Sequence, residues 1–237
     1  KPPFPAQAGL FALPTTINNV ETLASVSHIL NRGAEWYKGL CLSNPKSTGT
    51  KLISVCGHVQ RPGNYEDTMG TPMKDLIFDM CGGMKPGRTL KAVIPGGSSV
   101  PIMTAAETED CLLDYEGVVA RGSMLGSAGM IVMDDSTDMV YQIWRLARFY
   151  AHESCAQCTQ CREGTAWTTK ILERILAGKG KAADLDLLLS LSENMTGKTI
   201  CVLSDSCAAP IVSGIAKFRS EFDAYLSGAR QPALAMA

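Results

Sequence analysis

The sequence contains few aromatic residues and no excess of charge of either sign. Phe, Trp and Tyr make up 6% of its 237 residues, and 22 Lys and Arg are balanced by 23 Asp and Glu. Nucleic-acid-binding domains usually carry a strongly basic face, so we expect no nucleic-acid partner. No apolar run approaches the roughly 18 residues that a transmembrane helix needs, so we expect no direct membrane insertion. With 46% hydrophobic residues, the composition is that of an ordinary globular protein.

Motifs that hold nucleotide phosphates or activate a serine nucleophile are also missing. The loop Gly96-Gly97-Ser98-Ser99 has no following Gly-Lys-Ser/Thr, so it is not a P-loop. No Gly-x-Ser-x-Gly elbow occurs. We interpret His58 as a structural residue, and we assign no catalytic side chain.

Cysteine, in contrast, is abundant, with nine residues. Four of them are dispersed beside apolar residues, and we expect these to be buried free thiols in a reducing compartment. These four are Cys41, Cys56, Cys81 and Cys111. The remaining five lie between positions 155 and 207, and they carry the functional prediction.

Three cysteines repeat at a strict spacing of three, in Cys155-Ala-Gln-Cys158-Thr-Gln-Cys161. One short loop can turn three such sulfurs toward a common point, and thiolates suit iron–sulfur clusters or zinc. Two consecutive C-x2-C steps are typical of a [4Fe–4S] site, which needs a fourth ligand. The only cysteines downstream are Cys201 and Cys207. The alternatives are a zinc site, although zinc sites usually present two separated pairs, and three thiols that are unrelated or redox-active.

The first section of the chain is punctuated by proline, and we predict an extended arm over residues 1–19. A helix follows that Asn18 or Asn19 caps and that Gly33 ends. A helix N-terminus rich in Asn and Thr also suits an anion, although these residues by themselves favour plain capping. Phe4 either fills the edge of a core or offers a face for stacking.

From Lys51 the spacing of apolar residues changes from that of a helix to the alternation of a strand. The middle of the chain is therefore predicted to form a small α+β module resembling a β-grasp, with the order strand, strand, helix, strand, strand. The last section is predicted to be helical, with its second helix starting near Gly164 and its fourth near Pro210. We place both cysteine segments in loops between helices. Two loops at the same end of a four-helix bundle can meet over a cluster.

The cysteine segment, read as Glu153-Ser-Cys-Ala-Gln-Cys-Thr-Gln-Cys-Arg-Glu-Gly164, resembles the E-S-C-G-Q-C-T-P-C-R-E-G signature of a known family. The family is the flavin- and NADH-binding 51 kDa, or F, subunit of NADH:quinone oxidoreductase (respiratory complex I). Four further segments resemble its other hallmarks in the same order: Lys1-Pro-Pro-Phe-Pro-Ala6, Pro14-Thr-Thr-Ile-Asn-Asn-Val-Glu-Thr-Leu23, Val93-Ile-Pro-Gly-Gly-Ser-Ser99 and Gly197-Lys-Thr-Ile-Cys201.

The resemblance implies an α+β chain in three parts. Residues 1–46 would be the C-terminal part of an FMN/NADH-binding α/β domain, residues 47–135 a ubiquitin-like β-grasp (SLBB) module, and residues 136–237 a four-helix bundle carrying a [4Fe–4S] cluster. The family's glycine-rich flavin loop, of pattern G-R-G-G-x-G-F-P, does not occur in the chain. We therefore expect a C-terminal portion that lacks the N-terminal part of the flavin domain and does not hold FMN tightly by itself.

The same resemblance assigns nucleotide-binding roles in the first section. Asn18, Asn19 and Thr22 would hold the FMN phosphate, so the resemblance favours an anion site over plain capping. Phe4 would stack on the adenine of NADH, with Lys1 nearby.

For the cluster, the resemblance selects one of the two downstream cysteines. The family's fourth ligand lies in an I-C-A-L-G-D context, which Ile200-Cys-Val-Leu-Ser-Asp205 resembles, whereas Cys207 matches no ligand. Arg162 and Lys198 are either ordinary surface charges or moderators of the cluster's negative charge. The implied ligands are Cys155, Cys158, Cys161 and Cys201.

The activity that the resemblance implies is electron input: NADH reduces FMN by hydride transfer, and electrons pass singly to the [4Fe–4S] cluster and on to other iron–sulfur subunits. The implied partners are a 24 kDa-type [2Fe–2S] subunit and the large iron–sulfur subunit. The location would be the cytoplasmic or mitochondrial matrix side, peripheral to the inner membrane. Alternatives are a diaphorase subunit of an NAD-linked hydrogenase or formate dehydrogenase, a zinc-binding interaction module, and an inactive fragment.

Overall fold

A computed structural model describes residues 2–42 and 46–234. Lys1, predicted to lie near NADH, falls outside the described residues. Among those residues, none of the helices combines the length and the apolar character that crossing a membrane would require.

The N-terminal segment is more helical than the proline content predicts. Proline at the first position of a helix loses no hydrogen bond, and here it begins a short helix instead of extending the chain. The next predicted helix is confirmed, because the Asn19 side chain caps it and Gly33, at φ +89°, ends it. The elements are α1 (Pro5–Ala8), a 3₁₀ turn (Leu10–Ala12), α2 (Val20–Arg32) and α3 (Ala34–Lys38).

This segment has no core of its own. None of residues 2–42 is buried, and the apolar stripe of α2 is open, with Val20 81% and Leu30 79% exposed. A pair of polar contacts joins α2 to the sheet that follows: the Glu21 carboxylate accepts from Lys51 Nζ at 2.9 Å and from the Leu52 backbone N–H at 2.8 Å.

The middle of the chain forms one mixed sheet. Its strands are β1 (Thr50–Gly57), β2 (Gly63–Thr68), β3 (Leu90–Ile94), β4 (Met103–Thr104) and β5 (Gly129–Asp134). They lie in the order β2-β1-β5-β3-β4, with β1 and β5 parallel and the other neighbouring pairs antiparallel. The predicted elements are therefore present in the predicted order, and the structure adds β4 and two short helices before β5. A two-residue strand carries too little alternation to be recognised in a sequence.

Short helices cover one face of the sheet. They are α4 (Met73–Asp75), which continues as a π-helical turn (Leu76–Met80), α5 (Ala105–Thr108) and α6 (Tyr115–Ala120). Ile53 and Val55 of β1 pack on Leu76 and Ile77 in a core that this face of the sheet shares with them.

The last section, as far as the structure describes it, contains five helices: α7 (Met139–Glu153), α8 (Thr159–Leu176), α9 (Ala183–Met195), α10 (Leu203–Lys217) and α11 (Arg219–Leu226). α7 packs against α8 and α10, and α9 packs against the same two helices. Two predicted boundaries are wrong. α8 begins at Thr159 rather than near Gly164, and the last long helix begins at Leu203, with Pro210 inside it.

The sheet and the long helices share a second core. Ala92 and Ile94 of β3 and Ile102 pack with Ile143 of α7 and Ile211 of α10. α10 can approach α7 closely because it has Gly214 at the contact, where a Cβ atom would lie 2.2 Å from Ile143 Cδ1. The helices are therefore fixed relative to the sheet, and with them the two loops that carry the cysteines.

Candidate metal centre

The first cysteine loop runs from the end of α7 into α8. Ser154 is the C-cap of α7 in an extended conformation (φ −64°, ψ 123°), and Ala156 turns the chain with φ +63°. Cys158 is the N-cap of α8. Cys161 therefore lies in the first turn of a helix, and its predicted position in a loop is wrong.

The second cysteine loop joins α9 to α10. Gly197 turns it at φ +71°, and the Gly197 N–H donates to Asp205 Oδ1 at 2.9 Å. The Thr199 hydroxyl donates to the Cys201 carbonyl oxygen at 2.7 Å and lies 2.6 Å from the Ser204 hydroxyl. Side chains at the start of α10 thus fix the backbone on both sides of the loop.

The two loops meet at a hydrogen bond. The backbone N–H of Ile200 donates to Cys158 Sγ at 3.4 Å. This contact joins residues 42 positions apart and brings the neighbour of Cys201 to the cysteine triplet. Cys155 and Cys201 are exposed, whereas Cys158 is half-buried and Cys161 is buried.

A second polar group lies at the triplet. Ser154 Oγ is 3.3 Å from Cys161 Sγ, and the same oxygen accepts from the Ala156 N–H at 3.3 Å. The sequence motifs did not single out Ser154. The available signal was its position, a hydroxyl residue directly before Cys155 at the end of a helix.

The thiols and the polar groups around them have the chemistry that an iron–sulfur cluster requires. Four thiols and two groups able to donate to their sulfurs lie in two adjacent loops and the first turn of α8, and thiolates with such donors are the usual ligands of iron–sulfur clusters. Among residues 2–42 and 46–234, no three His, Cys, Asp or Glu side chains converge closely enough to enclose a metal ion. The ligand assignment to Cys155, Cys158, Cys161 and Cys201 therefore stays a prediction.

Two basic residues flank the cysteines and already have partners. Arg162 pairs with Glu163 at 2.9 Å and donates to the Ala156 carbonyl oxygen at 2.8 Å. Lys198 Nζ donates to Asn194 Oδ1 at 3.3 Å. Arg162 therefore braces the loop, and a further effect of either charge on a cluster stays a prediction.

Cys207 is a helical residue inside the core. It lies in α10, outside the loop in which we expected it, and is 0% exposed. Burial, with the neighbouring Cys161 adding to it, raises the pKa of the Cys207 thiol to about 12. Cys207 is therefore a neutral thiol at physiological pH.

The dispersed cysteines follow the prediction only in part. Cys81 and Cys111 are buried and Cys41 is half-buried, but Cys56 is exposed. The exception follows from strand alternation: Val55 points into the core of the sheet, so Cys56 points away from it.

The predicted nucleotide-binding residues that the structure describes belong to the N-terminal segment. Asn19 Oδ1 accepts from the N–H groups of Glu21 and Thr22 at 2.8 and 3.4 Å, so the side chain caps its own helix. A cavity of about 490 Å³ is lined by Pro5, Ala6 and residues 14–18, and thus includes Asn18. Phe4, next to this cavity in sequence, is 65% exposed.

Two family models match the chain side by side. Residues 51–141 match the SLBB domain, and residues 141–225 match the NADH-ubiquinone oxidoreductase-F iron-sulfur binding region. The second match contains all four predicted ligands.

Two relatives with similar sequences are F subunits of NADH-quinone oxidoreductase. The F subunit numbered 1 of Rhizobium meliloti (strain 1021) is 49% identical over 224 residues, which are 94% of this chain and 51% of the relative. The F subunit of Streptomyces coelicolor is 48% identical over 228 residues, or 96% of this chain and 50% of the relative. The chain thus spans about half the length of the curated relatives it matches.

A solved structure extends the likeness to the whole fold. The NAD+-reducing [NiFe]-hydrogenase in its air-oxidized state matches with a TM-score of 0.84 and 34% sequence identity, over 100% of this chain and 39% of the hydrogenase chain. Both comparisons agree with the resemblance found in the cysteine motif. The chain contains an SLBB domain and the iron-sulfur binding region of NADH-ubiquinone oxidoreductase F, and it resembles the F subunits of NADH-quinone oxidoreductase over about half of their length.

Proposed function

We propose that this chain is the cluster-carrying portion of the electron-input subunit of an NADH:quinone oxidoreductase. The observation that carries the proposal is the hydrogen bond from the Ile200 N–H to Cys158 Sγ, 3.4 Å long, which joins the two cysteine loops. This contact places the residue next to Cys201 beside the triplet, as a shared cluster requires.

The ligands in this proposal are Cys155, Cys158, Cys161 and Cys201. A [4Fe–4S] cluster held by four cysteines supplies one-electron transfer. The protein's contribution is to hold the loops: Asp205 fixes Gly197, and Arg162 fixes Ala156.

The architecture of the proposal has three parts. Residues 1–46 complete a flavin-binding α/β domain, residues 47–135 form the β-grasp module, and residues 136–237 form a four-helix bundle built from α7 to α10. The open apolar stripe of α2 supports the first part, because a helix of this kind is stable when another element covers its apolar face.

Nucleotide binding belongs to the completed domain. Asn18, Asn19 and Thr22 contact the FMN phosphate, and Phe4 stacks on the NADH adenine with Lys1 nearby. The support is the cavity beside Asn18 and the N-terminus of α2, where the helix dipole favours an anion. The proposed partners are a [2Fe–2S] subunit and a larger iron–sulfur subunit, in a complex peripheral to a membrane.

A second candidate is the diaphorase subunit of an NAD-linked hydrogenase. The likeness to the NAD+-reducing [NiFe]-hydrogenase, at a TM-score of 0.84, favours it. The identity of 34% is lower than the 49% shared with the Rhizobium meliloti relative. We therefore place the quinone reductase first.

Anaerobic purification tests the cluster. We expect a brown protein that contains four iron atoms and four acid-labile sulfides per chain, the content of one [4Fe–4S] cluster. Cys201→Ala is expected to lose the cluster, whereas the matched variant Cys56→Ala, on the solvent side of β1, keeps it. A colourless protein with stoichiometric zinc would contradict the proposal.

The proposed oxidation of NADH is tested by a second experiment. We expect NADH–ferricyanide activity only when the N-terminal half of one of the quinone reductase relatives is supplied together with this chain. Activity that is restored by the partner chains of the hydrogenase, and not by those of the quinone reductase, would move the assignment to the diaphorase.

A further inference from the structure

Ser154 stands where α7 ends and the cysteine loop begins, and its hydroxyl faces a predicted ligand. Ser154 Oγ lies 3.3 Å from Cys161 Sγ, within hydrogen-bonding distance of sulfur. Ser154 is half-buried and Cys161 is only 7% exposed. Water therefore competes little for this contact, and a hydrogen bond here has a larger electrostatic effect than one at the surface.

The direction of this hydrogen bond follows from the neighbouring groups. The Ala156 N–H donates to Ser154 Oγ at 3.3 Å, which occupies an acceptor position of the hydroxyl and leaves its proton free. A cysteine that holds a metal is a thiolate and has no proton to give. The hydroxyl of Ser154 is therefore the donor and the Cys161 sulfur the acceptor.

We propose that Ser154 sets the reduction potential of the cluster through its hydrogen bond to Cys161. The proposal rests on the proposed function, in which Cys161 is a cluster ligand. Hydrogen bonds to ligand sulfurs are one of the factors that set the potential of an iron–sulfur cluster. A donor stabilises the reduced state, which is the more negatively charged, more than the oxidised state, and so raises the potential. Ser154 acts through Cys161 and is a positioning residue.

Two hydroxyl groups of the second cysteine segment do not share this geometry. Thr199 donates to the Cys201 carbonyl oxygen, and Ser206 donates to the Val202 carbonyl oxygen at 2.8 Å. The Ile200 N–H that reaches Cys158 belongs to the backbone and stays the same in every side-chain variant. Ser154 is thus the hydroxyl to change, and Ser206, in the first turn of α10, offers a matched control.

The test is a redox titration of the full chain, loaded anaerobically with its cluster and followed by electron paramagnetic resonance. Ser154→Ala and Ser154→Val remove the donor, whereas Ser154→Thr keeps a hydroxyl on a side chain of the same shape as Val. Loss of one hydrogen bond is expected to lower the reduced-to-oxidised ratio at fixed ambient potential about fivefold. This is a shift of about 41 mV to more negative potential, since tenfold is about 59 mV for one electron. Ser154→Thr and Ser206→Ala are expected to titrate like the unchanged chain.

A second readout detects the proton itself. Pulsed resonance spectra of the reduced cluster in D₂O are expected to show an exchangeable deuteron that disappears in Ser154→Ala and remains in Ser206→Ala. A merely structural role for Ser154 would leave this signal unchanged.

Three results would overturn the inference, and they are distinguishable. Equal midpoint potentials in the unchanged chain, Ser154→Ala and Ser154→Val would exclude tuning, with the proposed function intact. Loss of the cluster in both of these variants but not in Ser154→Thr would mean that the hydroxyl holds the loop instead. Failure of the unchanged chain to bind iron and sulfide would remove the proposed function, and this inference with it.

Discussion

The guanidinium of Arg162 donates a hydrogen bond of 2.8 Å to the carbonyl oxygen of Ala156, across the turn between Cys155 and Cys158. Ala156 has φ +63°, in the left-handed region that a residue with a Cβ atom rarely adopts. The first turn of α8 thus holds a strained residue of the loop that precedes it. The backbone strain at Ala156 and the hydrogen bond from Arg162 can be tested separately.

Replacing Ala156 by glycine is expected to stabilise the protein. The left-handed conformation costs an L-residue about 1–2 kcal/mol that glycine does not incur. Glycine also gives the unfolded chain more freedom, which offsets about 0.4–1 kcal/mol of that gain. We expect the free energy of unfolding, measured with urea, to rise by about 0.5–1 kcal/mol. The control is Ala151→Gly inside α7, which is expected to lower it by about 1 kcal/mol because glycine is a poor helix former. An unchanged or lower value for Ala156→Gly would show that the turn is not strained.

Removing the hydrogen bond from Arg162 to Ala156 is expected to make the loop at residues 155–158 more mobile without unfolding the chain. Arg162→Met keeps much of the side chain's apolar length but loses the donor to Ala156. We expect the amide protons of residues 155–158 to exchange several times faster with deuterium, since a single exposed hydrogen bond contributes about 0.5–1.5 kcal/mol. Arg145→Met, on the exposed side of α7, serves as the control with the same change of charge. Equal exchange in both variants would assign no role to the Arg162–Ala156 contact.

Local patterns in the sequence were sufficient for several features of the fold. The capping residue Asn19 and the stop at Gly33 gave the bounds of α2, because both act through backbone groups a few residues away. The spacing of the cysteine triplet likewise predicted a thiol site before any fold was known. The capping residues and the cysteine spacing each depend only on residues within one turn or loop.

Other features depended on the rest of the chain and could not be predicted. Proline usually marks the first turn of a helix, but here α10 begins earlier, at Leu203, and continues through Pro210. Packing of Ile211 and Ile215 in the shared core favours a helix that propensity alone would break. The contact between Ile200 and Cys158 joins two loops 42 residues apart, and it arises only once α8, α9 and α10 are packed.

Adding a methyl group at Gly214 is expected to destabilise the packing of α10 on α7. Alanine normally favours a helix over glycine by about 1 kcal/mol. Here the new Cβ atom would lie 2.2 Å from Cδ1 of Ile143, a residue that is 0% exposed and has little room to move. Overpacking of this kind costs about 1–3 kcal/mol, so we expect Gly214→Ala to lower the free energy of unfolding despite the gain in helix propensity.

The cause can be isolated with a second substitution. Ile143→Val removes the Cδ1 atom, so the double variant Gly214→Ala/Ile143→Val is expected to be more stable than the sum of the two single effects. A coupling energy of about 0.5–3 kcal/mol is typical of residues in contact. Strict additivity in urea unfolding would indicate that Gly214 is required for another reason.

The ion pair between Arg174 and Asp184 is expected to make stability depend on pH in the acid range. Arg174 Nη2 lies 2.5 Å from Asp184 Oδ1, and the Asp184 side chain is 4% exposed. Burial acts to raise the pKa of the Asp184 carboxyl, but hydrogen bonds from Arg174 and the Lys181 N–H outweigh it, so the pKa is lowered from its ordinary value of 3.8. The unfolded chain therefore binds more protons at acid pH. The contribution of the pair is complete above the ordinary value and is lost as the pH falls through the lowered pKa.

Asp184→Asn tests this directly. Because Arg174 is 38% exposed and keeps part of its hydration, we expect a loss of about 1–2 kcal/mol in unfolding free energy at neutral pH, less than for a fully buried pair. The difference from the unchanged chain is expected to stay constant between about pH 5 and pH 8 and to shrink below about pH 4. Asp186→Asn, in the same first turn of α9 but exposed, removes the same charge from a residue with no ion pair in the described part of the chain, and is expected to change stability little. If Asp184→Asn and Asp186→Asn gave parallel curves of stability against pH, the helix dipole rather than Arg174 would account for the effect.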